Sequence, residues 1–380
     1  MSKIIIASIM RPIGENGVQT HVASFMRYLS EQGASMQLIT PFNYYSALVY
    51  PVFAIRRILH PLSGEMSVWW YRFWHALFLQ LALREQLAAG ADCVIYAQCP
   101  VAAAAALRAR TSPRQRVVMV THFNISQADE WAGKGLVKQD GRFFRAIREF
   151  EAATLPALDG LVFVSDFMRR ELLSRIPAVA QVKSLIAPNF LPDPGEPETK
   201  ELHADLICIG SLEARKNQKY LLEIMAALRD QGSDLTLTLI GDGADRAMLE
   251  ETAAALRLTD RVTFRGFMPD GASQIVYHRA CIHVASLENL PVTLLEALAR
   301  GRPLFACPVG GIPEVLAGGD VGLALPLDDA WAAAKLVADA MQDAAWLKAA
   351  GQAARRRFIN EYDSKVVAAR LLQFLLALND

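Results

Sequence analysis

Short apolar runs alternate along this chain with longer segments of helical periodicity, and the alternation occurs twice. Residues 3–9 read as a strand, 17–32 as a helix closed by Gly33, and 36–40 as a second strand. Runs at 92–97, 116–122 and 161–164 extend the series, the last leading into a helix at 166–174. Residues 185–200 then break the pattern with Pro188, Pro192, Pro194, Gly195 and Pro197, a density that reads as a linker. A second series follows, with strands at 206–210, 236–240, 262–264, 281–285 and 303–306. Helices are expected at 217–231, 246–256, 294–300 and 312–317, and residues 331–378 are mostly helical. Strand–helix alternation of this kind specifies parallel-sheet α/β units. The expected organisation is an N-terminal Rossmann-like domain (1–187), a linker (188–200) and a C-terminal Rossmann-like domain (201–360). A final helical stretch (361–380) is expected to return to the N-terminal domain. Open α/β sheets bind ligands at the carboxyl ends of their strands, so the loops there are where chemistry belongs.

Composition narrows the partners. The 380 residues carry 39 Lys plus Arg against 39 Asp plus Glu, so no long-range positive field argues for nucleic acid. The five cysteines are odd in number and none has Cys-x-x-Cys spacing, which excludes a disulfide framework or a zinc site of that type. Four lie in apolar runs, where a reduced thiol behaves as a small hydrophobe, and a reducing cytoplasm fits them best. Residues 1–7 are too short for a secretory signal, and no run is apolar enough to span a bilayer.

Residues 285–298 read Ala-Ser-Leu-Glu-Asn-Leu-Pro-Val-Thr-Leu-Leu-Glu-Ala-Leu. A strand ends, a loop follows, and a helix starts near Pro291 in the position where proline is favourable. Free backbone N–H groups and the positive dipole end of that helix suit a diphosphate. Glu288 precedes the helix and Glu296 lies inside it, with seven residues between. Each carboxylate can accept from two hydroxyls. The plainer reading makes Glu288 a cap and Glu296 a solvated helix residue. Earlier in the same half, Gly210-Ser-Leu-Glu-Ala-Arg215-Lys216-Asn217 leaves the first strand of the domain and opens a helix. Arg215 can fork onto phosphate oxygens and Lys216 adds a point charge; a solvated basic turn is the alternative.

Together these segments resemble the family 4 retaining glycosyltransferases of GT-B architecture, two Rossmann-like domains facing across a cleft. The resemblance extends over nearly the whole chain, through Val164-Ser165, Ala187-Pro188-Asn189, Ile240-Gly241-Asp242-Gly243, Arg265-Gly266-Phe267 and residues 308–314. It implies that Arg215 and Lys216 neutralise a leaving diphosphate and that Glu296 accepts from ribose hydroxyls. Glu288 would contact the transferred sugar. Gly210, Gly266 and Phe267 would line the nucleotide, and Asn289, Leu290, Pro291, Val292 and Thr293 the phosphate and sugar. Asn289-Leu290-Pro291 stands where many members have Gly-Phe-Gly.

The loop 12–21 resembles the family's glycine-rich first loop, with Gly17 on the donor side and Asn16 and His21 toward the acceptor; a solvent-facing His21 is the alternative. Asn16-Gly17 keeps one glycine of the usual pair, and the loop is not the G-x-G-x-x-G of nicotinamide sites. His122, at the end of the run 117–121, matches a histidine the family turns toward the donor sugar. Residues 47–83 hold Arg56, Arg57, Arg72, Tyr71, Phe73 and three of the six tryptophans, Trp69, Trp70 and Trp74. Aromatics beside arginines suit a membrane interface; a helical layer on the domain core is the other reading.

The expected activity is transfer of a hexose from a UDP- or GDP-sugar to a glycan or lipid-linked saccharide, in surface polysaccharide, lipopolysaccharide or glycolipid assembly. Retention of configuration follows from the resemblance. No Asp-x-Asp pattern calls for a metal and no cofactor beyond the donor is expected. The expected location is cytoplasmic or peripheral at the inner membrane face. A sugar-nucleotide epimerase or hydrolase, and a nucleotide-sugar-binding module without catalysis, remain as alternatives.

Overall fold

A computed structural model describes residues 3–12, 14, 17–87, 92–196 and 201–378. The chain divides into two compact units, Met1–Pro188 with Val367–Asp380 and Asn189–Val366. The first holds a six-stranded parallel sheet of β1 (Lys3–Ala7), β2 (Met36–Ile39), β3 (Cys93–Ala97), β4 (Gln115–Thr121), β5 (Gly160–Phe163) and β6 (Ser184–Ile186). Their spatial order is β2-β1-β3-β4-β5-β6. The sheet is buried on both faces, so its central strands read as continuous apolar runs rather than alternating ones. Ile4, Ile5 and Ile6 are all excluded from solvent, as are Val94, Ile95 and Tyr96.

Four helices precede β3: α1 (Gly17–Glu31), α2 (Ser46–Ala54), α3 (Arg56–Leu62) and α4 (Gly64–Gln86). Leu79, Ala82 and Leu83 of α4 enter the same core cluster as Ala102, Ala103, Ala105 and Ala106 of the next helix, Pro100–Ala109. The alanine run therefore does more than favour helix: its short side chains let that helix lie close against its neighbours. Ser165 caps the helix Asp166–Arg175, its Oγ accepting from Met168 N at 3.1 Å. The helix Ser364–Leu376 ends the chain, and Phe374 and Leu378 lie 3.0–3.4 Å from where a side chain at Gly160 would begin.

The second unit repeats the plan with β7 (Ala204–Ile209), β8 (Leu237–Ile240), β9 (Val262–Gly266), β10 (His278–His283), β11 (Leu304–Ala306) and β12 (Gly322–Ala324), again all parallel. The order is β12-β11-β10-β7-β8-β9. The chain winds outward from β7 to β9, then crosses back and winds the other way from β10. Its switch point lies between β7 and β10. In the first unit the equivalent point lies between β1 and β3.

Three local expectations change. Residues 184–186 pair with β5 as an edge strand, so the proline-rich stretch does not begin as linker. β12 was not foreseen. Pro291 is the residue before the helix Val292–Ala299, not its first helical residue.

Candidate functional site

The second unit's switch point collects the loops after β7 and β10. Gly210 N–H donates to Ile240 O (2.9 Å) and Leu212 N–H to Asp242 O (3.0 Å), which ties the β7 loop to the β8 loop. Gly241 makes that approach possible. It has φ +142°, and a Cβ there would sit 1.8 Å from Gly210 O. The β7 loop closes in a tight turn, Ala214–Lys216, before Asn217 enters the left-handed region at φ +57° and the helix Gln218–Asp230 begins. From the β10 side, Ser286 N–H and Oγ both donate to Arg215 O, at 2.9 and 3.2 Å.

These ties bring Arg215, Lys216 and Glu288 together. Lys216 Nζ donates to Glu288 Oε1, and Arg215 Nη1 lies 3.2 Å from the same oxygen. Arg215 Nη2 reaches Glu213 at 2.7 Å. His283, the last residue of β10, places Nε2 3.5 Å from Glu288 Oε1. Glu288 is 6% exposed. Burial alone would raise its pKa, but Lys216, His283 and Arg215 outweigh burial and hold it well below the usual carboxylate range. Burial also lowers His283, with Glu288 opposing.

Glu288 is positioned from behind. Gly310 has φ +59°, and a Cβ there would meet Glu288 O at 1.6 Å. Gly311 N–H donates to Asn289 O (2.8 Å), and the Asn189 amide donates to Leu290 O (2.7 Å). Asn289 and Leu290 are thus buried and have their carbonyls turned to protein partners. Pro291 has no N–H. The amides left at the helix start belong to Val292 and Thr293, and Thr293 Oγ1 is buried with no hydrogen-bond partner among the described residues. An open helix start, an unsatisfied hydroxyl and two cations suit an anion.

Glu296 stands apart from this cluster. Its charged neighbours are Arg300 and Asp270, and burial, opposed by Arg300 and reinforced by Asp270, pushes its pKa up to about 7. Asp270 follows β9, the strand that ends at Gly266. Gly266 has φ +71°, its N–H-bearing neighbour Phe267 is 59% exposed, and Gly241 N–H donates to Gly266 O at 2.9 Å.

The first unit's switch point holds a second cluster. His21 on α1 is 1% exposed, which removes the solvent-facing reading. Its Nε2 lies 3.2 Å from Tyr96 Oη, and its ring meets His122 edge-on at 4.6 Å. His122 Nε2 is 3.2 Å from Gln98 Oε1. Burial, with His21 adding, lowers the His122 pKa well below the ordinary value, so the ring is neutral near pH 7. Gly17 starts α1; Asn16 lies outside the described residues. In the 47–83 stretch, Val68, His75, Phe78 and Leu79 are buried, while Trp69 (49%) and Phe73 (46%) are exposed. The buried face bears out the helical layer on the domain core, and the exposed rings lie on the opposite face of the same helix.

Sequence reasoning missed Tyr96, Gln98 and His283. The signal for His283 was a lone polar residue at the end of the apolar run Ala280-Cys281-Ile282.

Two family models match the chain. Glycosyltransferase Family 4 matches residues 15–191, and Glycosyl transferases group 1 matches 193–357. The chain is 32% identical over 123 residues to the alpha-D-kanosaminyltransferase of Streptomyces kanamyceticus, covering 32% of each chain. It is 26% identical over 238 residues to a GDP-mannose-dependent alpha-(1-6)-phosphatidylinositol monomannoside mannosyltransferase of Mycolicibacterium smegmatis, covering 57% of this chain and 62% of that one. The matched stretches thus span less than two thirds of these relatives' length. Among solved structures, the Anabaena HepE protein in complex with UDP and glucose superimposes with a TM-score of 0.70 at 14% identity, over 99% of this chain and 100% of that one.

Proposed function

Because the chain belongs to the family 4, group 1 glycosyltransferases of GT-B type, we propose that it moves a hexose from a UDP- or GDP-linked sugar to a saccharide or lipid-linked saccharide, with retention and without a metal. The observation that carries this reading is the convergence of Arg215, Lys216 and Glu288 at the switch point of the second unit, beside a helix start with free amides. The nucleotides named with relatives, GDP-mannose in one and UDP in another, support a nucleoside diphosphate as the common element.

In the reaction, the bond from the anomeric carbon to the diphosphate oxygen breaks and the bond to the acceptor oxygen forms on the same face. The acceptor's proton passes to the leaving diphosphate. Negative charge grows on that diphosphate, where Arg215, Lys216 and the helix Val292–Ala299 stabilise it. The incoming phosphate competes with Glu288 for the two cations. This releases the Glu288 carboxylate to accept from a sugar hydroxyl. Glu296, on the β9 side with Gly266 and Phe267, accepts from the ribose. His122, held neutral by burial, offers a hydrogen bond rather than charge to a ligand of its own unit.

The exposed Trp69 and Phe73, with Leu48 on α2, Ile58 and Leu62 on α3 and Ile55 between them, support contact with a membrane surface on the acceptor side. Among the described residues no helix is long and apolar enough to cross a membrane.

The test is a screen of UDP- and GDP-sugars against candidate acceptors, with the first product followed by NMR. Transfer with the donor's anomeric configuration is expected. An inverted product would overturn retention, and free sugar released equally without acceptor would replace transfer by hydrolysis.

A further inference from the structure

A cavity of about 1180 Å³ opens within the first unit, beside the loop after β1 and under α2 and α3. Its wall is a continuous run of rings with an arginine at each end. Arg11 lies over Phe42 (5.8 Å), Phe42 meets Phe53 edge-on (5.3 Å), and Phe53 stacks on His75 (3.9 Å). His75 touches Tyr71 (4.0 Å), and Arg56 lies over Tyr71 (4.6 Å). Arg57 adds a third guanidinium from α3.

Among the described lining residues the charge in this cavity is not balanced. No Asp or Glu is among the described lining residues, and none of the three arginines pairs with a carboxylate among the described residues. Other arginines of the unit do have a carboxylate partner, Arg110 and Arg116 in Asp159, Arg148 in Asp129 and Arg175 in Glu151, whereas here three without one line a single cavity. Burial lowers the His75 pKa to about 4, so that ring adds bulk but no charge at neutral pH. Arginine's planar fork matches phosphate oxygens, and a ring wall binds apolar or sugar surface rather than ions. Unpaired cations around an apolar wall are repulsive until an anion joins them.

We infer that this cavity holds the acceptor by a phosphoryl group, and that the acceptor is an amphiphilic phosphate or diphosphate ester gripped by Arg11, Arg56 and Arg57 against the Phe42–Tyr71 wall. The inference rests on the transferase reading for the word acceptor, but the cavity's ligand chemistry stands on its own geometry. The exposed apolar residues of the same two helices, α2 and α3, make a lipid-borne phosphate the natural source.

Titration calorimetry on the full chain tests it with geranyl diphosphate, inorganic pyrophosphate and geraniol. Geranyl diphosphate is expected to bind, and Arg11→Glu and Arg57→Glu are each expected to weaken it at least tenfold. Lys216→Ala should leave that affinity within twofold, and Arg57→Glu should leave UDP and GDP affinity unchanged. Pyrophosphate binding tenfold weaker than geranyl diphosphate assigns a lipid ester, whereas equal affinity assigns a soluble phosphate ester; both keep the phosphoryl contact. Geraniol binding as tightly as geranyl diphosphate would overturn the inference, as would indifference to both arginine substitutions. Loss of all diphosphate binding on Lys216→Ala alone would move the site to the second unit, leaving the proposed function intact and this inference refuted. Arg57 is exposed, so its variants should keep the wild-type melting temperature. Arg57→Gln, which removes charge at similar length, is the second variant should the charge reversal disturb folding.

Discussion

One oxygen of Glu288 is shared by Lys216, Arg215 and His283, so its protonation state reports on the whole cluster. Its native pKa lies below the ordinary 4.5 of the unfolded chain. The native state therefore binds fewer protons than the unfolded state below about pH 4.5. The stability it contributes is complete above that pH and is lost as pH falls further. Melting temperatures should drop more steeply below about pH 4.5 in the wild type than in Glu288→Gln, and parallel acid limbs would contradict the pairing. Glu296 has the opposite sign. Its carboxyl titrates at about 7, and the ionised form is the better acceptor for a ribose diol. Calorimetry should find nucleotide affinity rising between about pH 6 and 8 and flat in Glu296→Gln; affinity falling over that window would contradict the role. Lys216→Ala should lower kcat/KM by roughly 100- to 1000-fold, the scale for losing a preorganised donor to developing charge. It should also lower stability, because Glu288 loses a partner while still buried.

At the scale of elements, the loops matter through contacts that only glycine permits. Gly310→Ala forces a Cβ onto Glu288 O and into a left-handed backbone, so it should cost several times the ~1 kcal/mol of Gly33→Ala, where φ is +64° but nothing lies within 4 Å. Comparative denaturant melts check this; equal losses would mean the Gly310–Glu288 contact is not tight. The long strands were legible because burial on both faces makes them unbroken apolar runs, as in Ile4–Ile6 and Val117–Val120. β6 and β12 were not, because three-residue edge strands carry too short a run, and residues around them read as linker or turn. Arg215, Lys216 and Glu288 could be picked from motif spacing. Their mutual ion pairs could not, since these depend on β7 and β10 being neighbours although 68 residues lie between Ile209 and His278. His21 was left open between acceptor side and solvent because helical periodicity does not say what packs over a helix's first turn; Tyr96 and His122 do.

For the molecule as a whole, the two units present different chemistry at their switch points. The second offers cations, a buried carboxylate and a helix start; the first offers the buried pair His21 and His122 and, beside its β1 loop, a cavity lined by rings and arginines. The proposed reading assigns the donor to the second and the acceptor to the first. Sedimentation with anionic vesicles should retain the wild type and lose at least half of a Trp69→Ser/Phe73→Ser variant, whose exposed rings are gone while the core-facing side of α4 is unchanged. Equal retention would place any membrane contact elsewhere. The central claim is that Arg215 and Lys216 receive the diphosphate of a sugar donor. Titration calorimetry of UDP and GDP against the wild type and Lys216→Ala tests it most directly. One site per chain, weakened at least tenfold by the substitution, is the predicted result; equal binding to both proteins, or to neither, would contradict it.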